Sequence, residues 1–139
     1  KVSSLINPPS LNNSRVIQSS MYRLSPQGST PITYSLKQSV RKDFGTFIGK
    51  KRIILLSDGG ENCDESPCDY ILELVKQRDD FRIDVIAFDI NDKEAHNQLK
   101  CVALATSGKF YSANTAAELL DSFQDSLNIE KEVQGMIIR

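Results

Sequence analysis

The run Arg52-Ile53-Ile54-Leu55-Leu56-Ser57 constrains this chain more than any other feature. Four consecutive aliphatic residues that stop abruptly at Asp58-Gly59-Gly60 suit a strand buried on both faces. Such strands belong to parallel sheets covered by helices, whereas a half-wet strand alternates apolar and polar residues. A second apolar run, Ile83 to Ile90, ends in the same way at Asn91-Asp92.

Amphipathic stretches separate the runs. Thr30-Pro31 reads as a helix start, with Thr at the cap and Pro preset at the first helical position. Ile32, Leu36, Val40, Phe44 and Phe47 then recur every three or four residues and predict one buried helical face. Ser66 to Asp69 has capping-box spacing, ahead of a stripe of Ile71, Leu72 and Val75. A third helix is expected over about 94–107, with Leu99, Val102, Ala103 and Ala105 inward and Gly108 as its stop. Phe110-Tyr111 predicts a short strand. Thr115 to Glu118 repeats the capping box before a last helix lined by Leu119, Leu120, Phe123 and Leu127. At the front, Val2–Ile6 reads as a strand closed by Asn7-Pro8-Pro9, and 11–24 carry a weak helical pattern. After Ile129 the pattern fades, and Val133–Ile138 reads as a strand entering a following domain. Strands alternating with helices predict an α/β chain with a parallel sheet, whose ligands bind beyond the strands' C-terminal ends. Asp58 stands at that edge.

Composition narrows the function. The 139 residues suit one domain, which buries roughly two thirds of its unfolded surface. They are 40% hydrophobic and 25% charged with a formal net charge of -1, so nothing points to nucleic acid or an anionic membrane. Lys50-Lys51-Arg52 is the densest basic cluster and reads as a solvated turn. No apolar run approaches the ~20 residues a membrane helix needs. The chain opens on Lys1 without a signal peptide, as expected of a processed form or a fragment. Cys63, Cys68 and Cys101 are an odd set. The four-residue gap between Cys63 and Cys68 is compatible with a small loop disulfide, which favours an extracytoplasmic location. Zinc is disfavoured, because the one histidine, His96, lies in a polar helical stretch. Asp58, Glu61, Asp64, Glu65 and Asp69 make an acidic loop without EF-hand spacing. Gly45-x3-Gly49-Lys50 lacks the spacing of a phosphate loop.

Two motifs carry chemistry. In Gly28-Ser29-Thr30-Pro31-Ile32 a hydroxyl sits on a turn entering a helix, which alone is an ordinary cap. In Leu56-Ser57-Asp58-Gly59-Gly60-Glu61 a carboxylate ends a strand, which alone is an Asp-Gly turn. Their order and separation of about 25 residues resemble the second and third metal-site segments of von Willebrand factor type A domains. The segment Ser57-Asp58-Gly59-Gly60-Glu61-Asn62-Cys63-Asp64-Glu65-Ser66-Pro67-Cys68 is similar to bacterial members of that family. So are Leu99-Lys100-Cys101-Val102-Ala103, Thr106-Ser107-Gly108-Lys109-Phe110-Tyr111 and Ala116-Ala117-Glu118-Leu119. The resemblance spans about residues 1–127, so 1–128 is expected to be the C-terminal portion of such a domain and 129–139 an exit linker or first strand of the next.

The resemblance implies a Rossmann-like three-layer α/β/α sandwich with a mostly parallel sheet. It also implies a metal-ion-dependent adhesion site. Thr30 would offer a hydroxyl to Mg²⁺, or to Mn²⁺ or Ca²⁺, and Asp58 a carboxylate, with Ser29, Gly59, Gly60 and Glu61 around the bound ligand. A protein ligand's carboxylate would complete the shell, and no chemistry would be done on it. The family's Asp-x-Ser-x-Ser segment does not occur in this sequence. The family's sheet order sets the corresponding strands between Val2–Ile6 and Arg52–Ser57. The chain is therefore expected to be N-terminally truncated and to bind metal weakly by itself, unless a dimer or partner chain completes the sheet. In that order Cys101 reaches Cys63 or Cys68 as readily as those two reach each other. A metal-independent docking domain is the alternative, and a metal-assisted hydrolase using Asp58 with Asp89 or Asp92 is a further one.

Overall fold

The computed structural model describes residues 3–138, with side chains through Asn128. Among the described residues, five α-helices and three strands run in the order α1 (Ser14–Met21), α2 (Ile32–Gln38), β1 (Lys51–Ser57), α3 (Pro67–Gln77), β2 (Phe81–Phe88), α4 (Lys93–Ala105), β3 (Phe110–Ala113) and α5 (Ala116–Ile138). Helix α2 runs directly into a π-helical turn, Ser39–Asp43. The three strands form one parallel sheet in the order β1-β2-β3, with Ile53 opposite Ile83 and Val85 opposite Phe110. The α/β expectation is thus met.

Strand alternation divides the layers. One face of β2 offers Ile83, Val85 and Ala87, which pack with Ile53 and Leu55 of β1 against Ile32 and Leu36 of α2, Ile71 of α3, and Leu99, Val102 and Ala103 of α4. The other face carries Asp84, whose carboxylate accepts a hydrogen bond from Ser126 of α5. Thus α2, α3 and α4 cover one side of the sheet and α5 the other. Asp84 is 0% exposed, and it also accepts from Arg52 Nη2 (2.7 Å), Arg82 Nε (3.1 Å) and the Lys109 N–H (2.9 Å). Four donors on one carboxylate compensate a burial that would otherwise expel the charge.

Two ties fix α4 on β2. Thr106 Oγ1 accepts the Ile83 N–H at 2.9 Å. Just beyond, Gly108 lies so close to the sheet that a Cβ there would fall 1.9 Å from the Ile83 carbonyl oxygen. The left-handed residue at this helix end is Ser107, at φ 58°; Gly108 is required for close approach. The disulfide joins Cys68, at the start of α3, to Cys101 on α4, with Cα atoms 5.5 Å apart. Cys63 is a free thiol.

Several expectations are corrected. Ser3–Ile6 form no strand, and Val2 lies outside the described residues; among the described residues no strand pairs with this segment. Thr30 is not the cap of α2: Pro31 holds that position, without a side-chain cap bond. Phe47 lies past the helix and is exposed, as is Leu72 on α3. Among the described side chains of α5 the buried ones are Ser122 and Ser126, while Leu120 and Leu127 are 58% and 57% exposed. Ser126 donates to Asp84 beneath this helix, and the Ser122 hydroxyl donates to the Glu118 carbonyl of its own helix. Finally, the backbone of α5 continues as helix through Ile138 where a strand was expected from Val133.

Candidate functional site

The chain leaves β1 at Ser57, whose hydroxyl donates to the Gly59 carbonyl at 2.7 Å and folds the loop back on itself. That turn leaves Asp58 exposed at the C-terminal end of the strand. Thr30 arrives from the other direction, one residue ahead of the cap of α2. The two meet: Thr30, Leu56, Ser57, Asp58, Phe88 and Leu119 line one cleft of about 390 Å³. It lies beyond the C-terminal ends of β1 and β2, where ligands of open α/β sheets bind.

The loop reaches α2 through two side chains. Glu61 Oε2 accepts the Thr33 N–H at 2.7 Å, while Glu61 Oε1 accepts the Cys63 N–H at 2.9 Å. Asn62 Oδ1 accepts the Thr30 N–H at 2.6 Å, and the Asn62 N–H donates to the Thr30 carbonyl at 3.4 Å. Helix α2 opens with unpaired N–H groups like any helix, and Glu61 supplies the acceptor that Thr30 was expected to provide. On the far side of the loop, a Cβ on Gly60 would stand 2.7 Å from the Cβ of Ala95 on α4, so only glycine fits that wedge.

The expected site residues therefore separate into groups. Thr30 and Asp58 share the cleft. Gly60 and Glu61 line a different, acidic groove of about 180 Å³ with Glu65, Ser66, Asp92 and Glu94. Ser29 is exposed beside Thr30, and Gly59 forms the turn closed by Ser57. Asp92 caps α4, accepting the Glu94 N–H at 3.1 Å. Asp89 holds a left-handed backbone at the end of β2, at φ 51°, and does not line the cleft. His96 packs edge-on to Phe110, ring centroids 4.7 Å apart. The sequence reading missed the apolar lining from Phe88 and gave Asn62 no role. No local signal marks Asn62, whose partner is 32 residues away.

A hydroxyl and a carboxylate on one cleft are hard oxygen donors of the type Mg²⁺, Mn²⁺ and Ca²⁺ select. They fit such an ion in kind. They fall short in number, since Mg²⁺ takes six oxygens. Among the described residues no group of three or more His, Cys, Asp or Glu side chains is arranged to hold a metal.

No protein-family model matches the chain. It is 33% identical over 121 residues to the uncharacterised protein YwmD of Bacillus subtilis, a match that covers 86% of this chain and 50% of that one. The likeness to YwmC of the same organism is 32% over 123 residues, covering 86% and 52%. The chain thus spans about half the length of the curated relatives it matches. Among solved structures it resembles proximal thread matrix protein 1 of the mussel byssus, with a TM-score of 0.65 at 21% identity over 83% of this chain and 28% of that one. A second structure of that protein, with a zinc-occupied MIDAS motif, gives the same TM-score over 84% of this chain. The fold is von Willebrand factor type A-like. At this identity the structural likeness speaks for architecture alone.

Proposed function

We propose that this chain belongs to a divalent-cation-dependent protein-binding module for adhesion or assembly, with part of its metal site in these residues. One observation carries the reading: Thr30 and Asp58, distant in sequence, line the same cleft at the ligand-binding edge of the sheet. Thr30 and Asp58 would hold Mg²⁺, Mn²⁺ or Ca²⁺. When bound, the ion supplies a coordination position for a carboxylate of a protein ligand. The chain's own residues shape the approach, with Leu56, Phe88 and Leu119 as an apolar wall against which the ligand sheds water. This is recognition without a reaction on the ligand. The Cys68–Cys101 bridge supports an extracytoplasmic setting, where disulfides persist.

Titration with Mn²⁺, followed by paramagnetic broadening of backbone amide signals, tests the reading. The expected result is selective broadening around Thr30 and Asp58 with a dissociation constant weaker than about 0.1 mM, because two donors cannot replace six waters. Asp58→Ala should remove it and Thr30→Ala should weaken it. Equal broadening in Asp58→Ala, or none in the parent, would refute a cation site here. Micromolar affinity would refute its incompleteness.

A second reading, metal-independent docking, has its own observation. Among the described residues β1 pairs only with β2, although its four aliphatics have the composition of a central strand. Leu56 is 46% exposed beside that open edge. A complex that survives chelation favours this reading.

A further inference from the structure

We infer that Glu61 and Asn62 are positioning residues, a splint that locks the Thr30 turn to the loop carrying Asp58 and so keeps the two residues on one cleft. The inference rests on the cleft being the functional site proposed above. Thr30 and Asp58 come from segments with no covalent reason to stay in register. Asp58 is fixed by the end of β1 and by the Ser57–Gly59 turn. Thr30 precedes a helix of seven residues, which has no cap of its own and follows a long exposed stretch. What joins them is the pair of side chains two and three positions past Gly59. The Asn62 side-chain oxygen accepts the Thr30 N–H, and the Asn62 backbone N–H adds a longer bond to the Thr30 carbonyl. Glu61 takes the N–H of Thr33, one helical turn on, with one oxygen and returns the other to its own loop at Cys63. Both oxygens of Glu61 are thereby occupied by backbone donors, a use that competes with coordinating an ion.

The splint also has a fixed footing. Gly60, between the turn and Glu61, sits against Ala95 with no room for a side chain, so the loop cannot slide along α4. Three contacts, to the Thr30 turn, to the start of α2 and to α4, thus hold one short loop. Groups that orient a ligand without touching it typically contribute 10–100-fold to metal affinity.

The test uses Asn62→Ala, Asn62→Asp, Glu61→Ala and Glu61→Gln in this chain, each checked for an unchanged fold by circular dichroism. Two readouts are taken: amide hydrogen exchange at Thr30 and Thr33, and the Mn²⁺ titration. The inference expects exchange at Thr30 to rise about tenfold in Asn62→Ala, and at Thr33 in Glu61→Ala, with Mn²⁺ affinity falling about tenfold in each. Asn62→Asp keeps an acceptor for the Thr30 N–H and should restore parent behaviour within about threefold. Glu61→Gln keeps one of two acceptors and should fall between. A loop that merely filled space would give no rescue by the conservative variant. Unchanged exchange at Thr30 and Thr33 in the alanine variants overturns the splint. So does unchanged Mn²⁺ affinity in those variants while Asp58→Ala abolishes binding, a result that leaves the cation site standing. If instead Asp58→Ala changes nothing, the cation reading falls and amide exchange alone decides the splint.

Discussion

Replacing Asp84 should cost this protein more stability than any surface change of equal size. The carboxylate is wholly buried and receives Arg52 of β1, Arg82 of β2, the Lys109 N–H ahead of β3 and Ser126 of α5. It therefore ties every strand to the helix behind the sheet. Hydrogen bonds to a charged group contribute about 1.5–3 kcal/mol each net, but they share one carboxylate and do not add. Removing one partner of a buried ion pair costs about 3–5 kcal/mol, because the other charge is left uncompensated. Asp84→Ala should lose about that much, a large part of the roughly 5–15 kcal/mol typical of a domain. Asp84→Asn, which keeps the shape and one acceptor, should lose about 2–3 kcal/mol.

Acid provides the second arm. Burial pushes the Asp84 carboxyl up, but bonds from Ser126, Lys109, Arg52 and Arg82 outweigh it and hold the group below the usual carboxylate range. A depressed folded pKa stabilises the native state above the unfolded value of about 3.9 and is lost as pH falls through the folded one. Urea denaturation of parent and Asp84→Asn from pH 7 to pH 3 should therefore show a gap that is constant near neutrality and narrows in acid. Glu73→Ala, which breaks the exposed pair to Lys76, is the control and should stay within about 0.5 kcal/mol of the parent. A loss below about 1 kcal/mol in Asp84→Asn would refute the hub.

Two further outcomes follow from the described contacts. Alkylation under non-reducing denaturing conditions should label one thiol, Cys63, and label three after reduction; reduction should lower stability by about 2–4 kcal/mol in chemical denaturation. Gly108→Ala drives a methyl into the Ile83 carbonyl and should cost about 1–3 kcal/mol or more, read as a lower thermal midpoint, whereas Gly28→Ala meets no neighbour within 4 Å and should act only through its positive φ.

What could be read in the sequence was local or periodic. The runs at 52–57 and 83–90 and the pair Phe110-Tyr111 announced the three strands of the described residues, and the Ser66 cap holds its bond from the Asp69 N–H at 3.2 Å. Thr115 likewise accepts from Glu118 as its spacing implies. Thr30 and Asp58 could be put on one edge because a strand end and a helix start converge in any parallel α/β sheet. The errors share one cause, namely contacts between residues far apart in the chain. Thr30 looked like a cap because the true acceptor, Glu61, comes from another loop. Leu120 and Leu127 looked like core because their periodicity matches that of Leu119 and Phe123, yet the sheet beneath α5 presents Asp84, which takes Ser126 as its partner. The spacing of the cysteines left their pairing open, and only the packing of α3 on α4 selects Cys68 with Cys101.

Among the described residues β1 pairs on one side only, which also bears on behaviour in concentrated solution. A seven-residue strand with four adjacent aliphatics and, among the described residues, a strand partner on one side is a template for sheet growth between molecules. The segment is flanked by charge, Lys50 on one side and Asp58 on the other, while Lys51 and Arg52 are paired with Asp80 and Asp84. Such flanking charges act as gatekeepers, since stacking copies in register would pile like charges on one another. This protection is local, because the chain as a whole carries a formal net charge of only -1. Near the sequence-derived isoelectric point of about 5.8 the molecules no longer repel one another overall, and the flanking charges Lys50 and Asp58 alone stand between β1 and its copies.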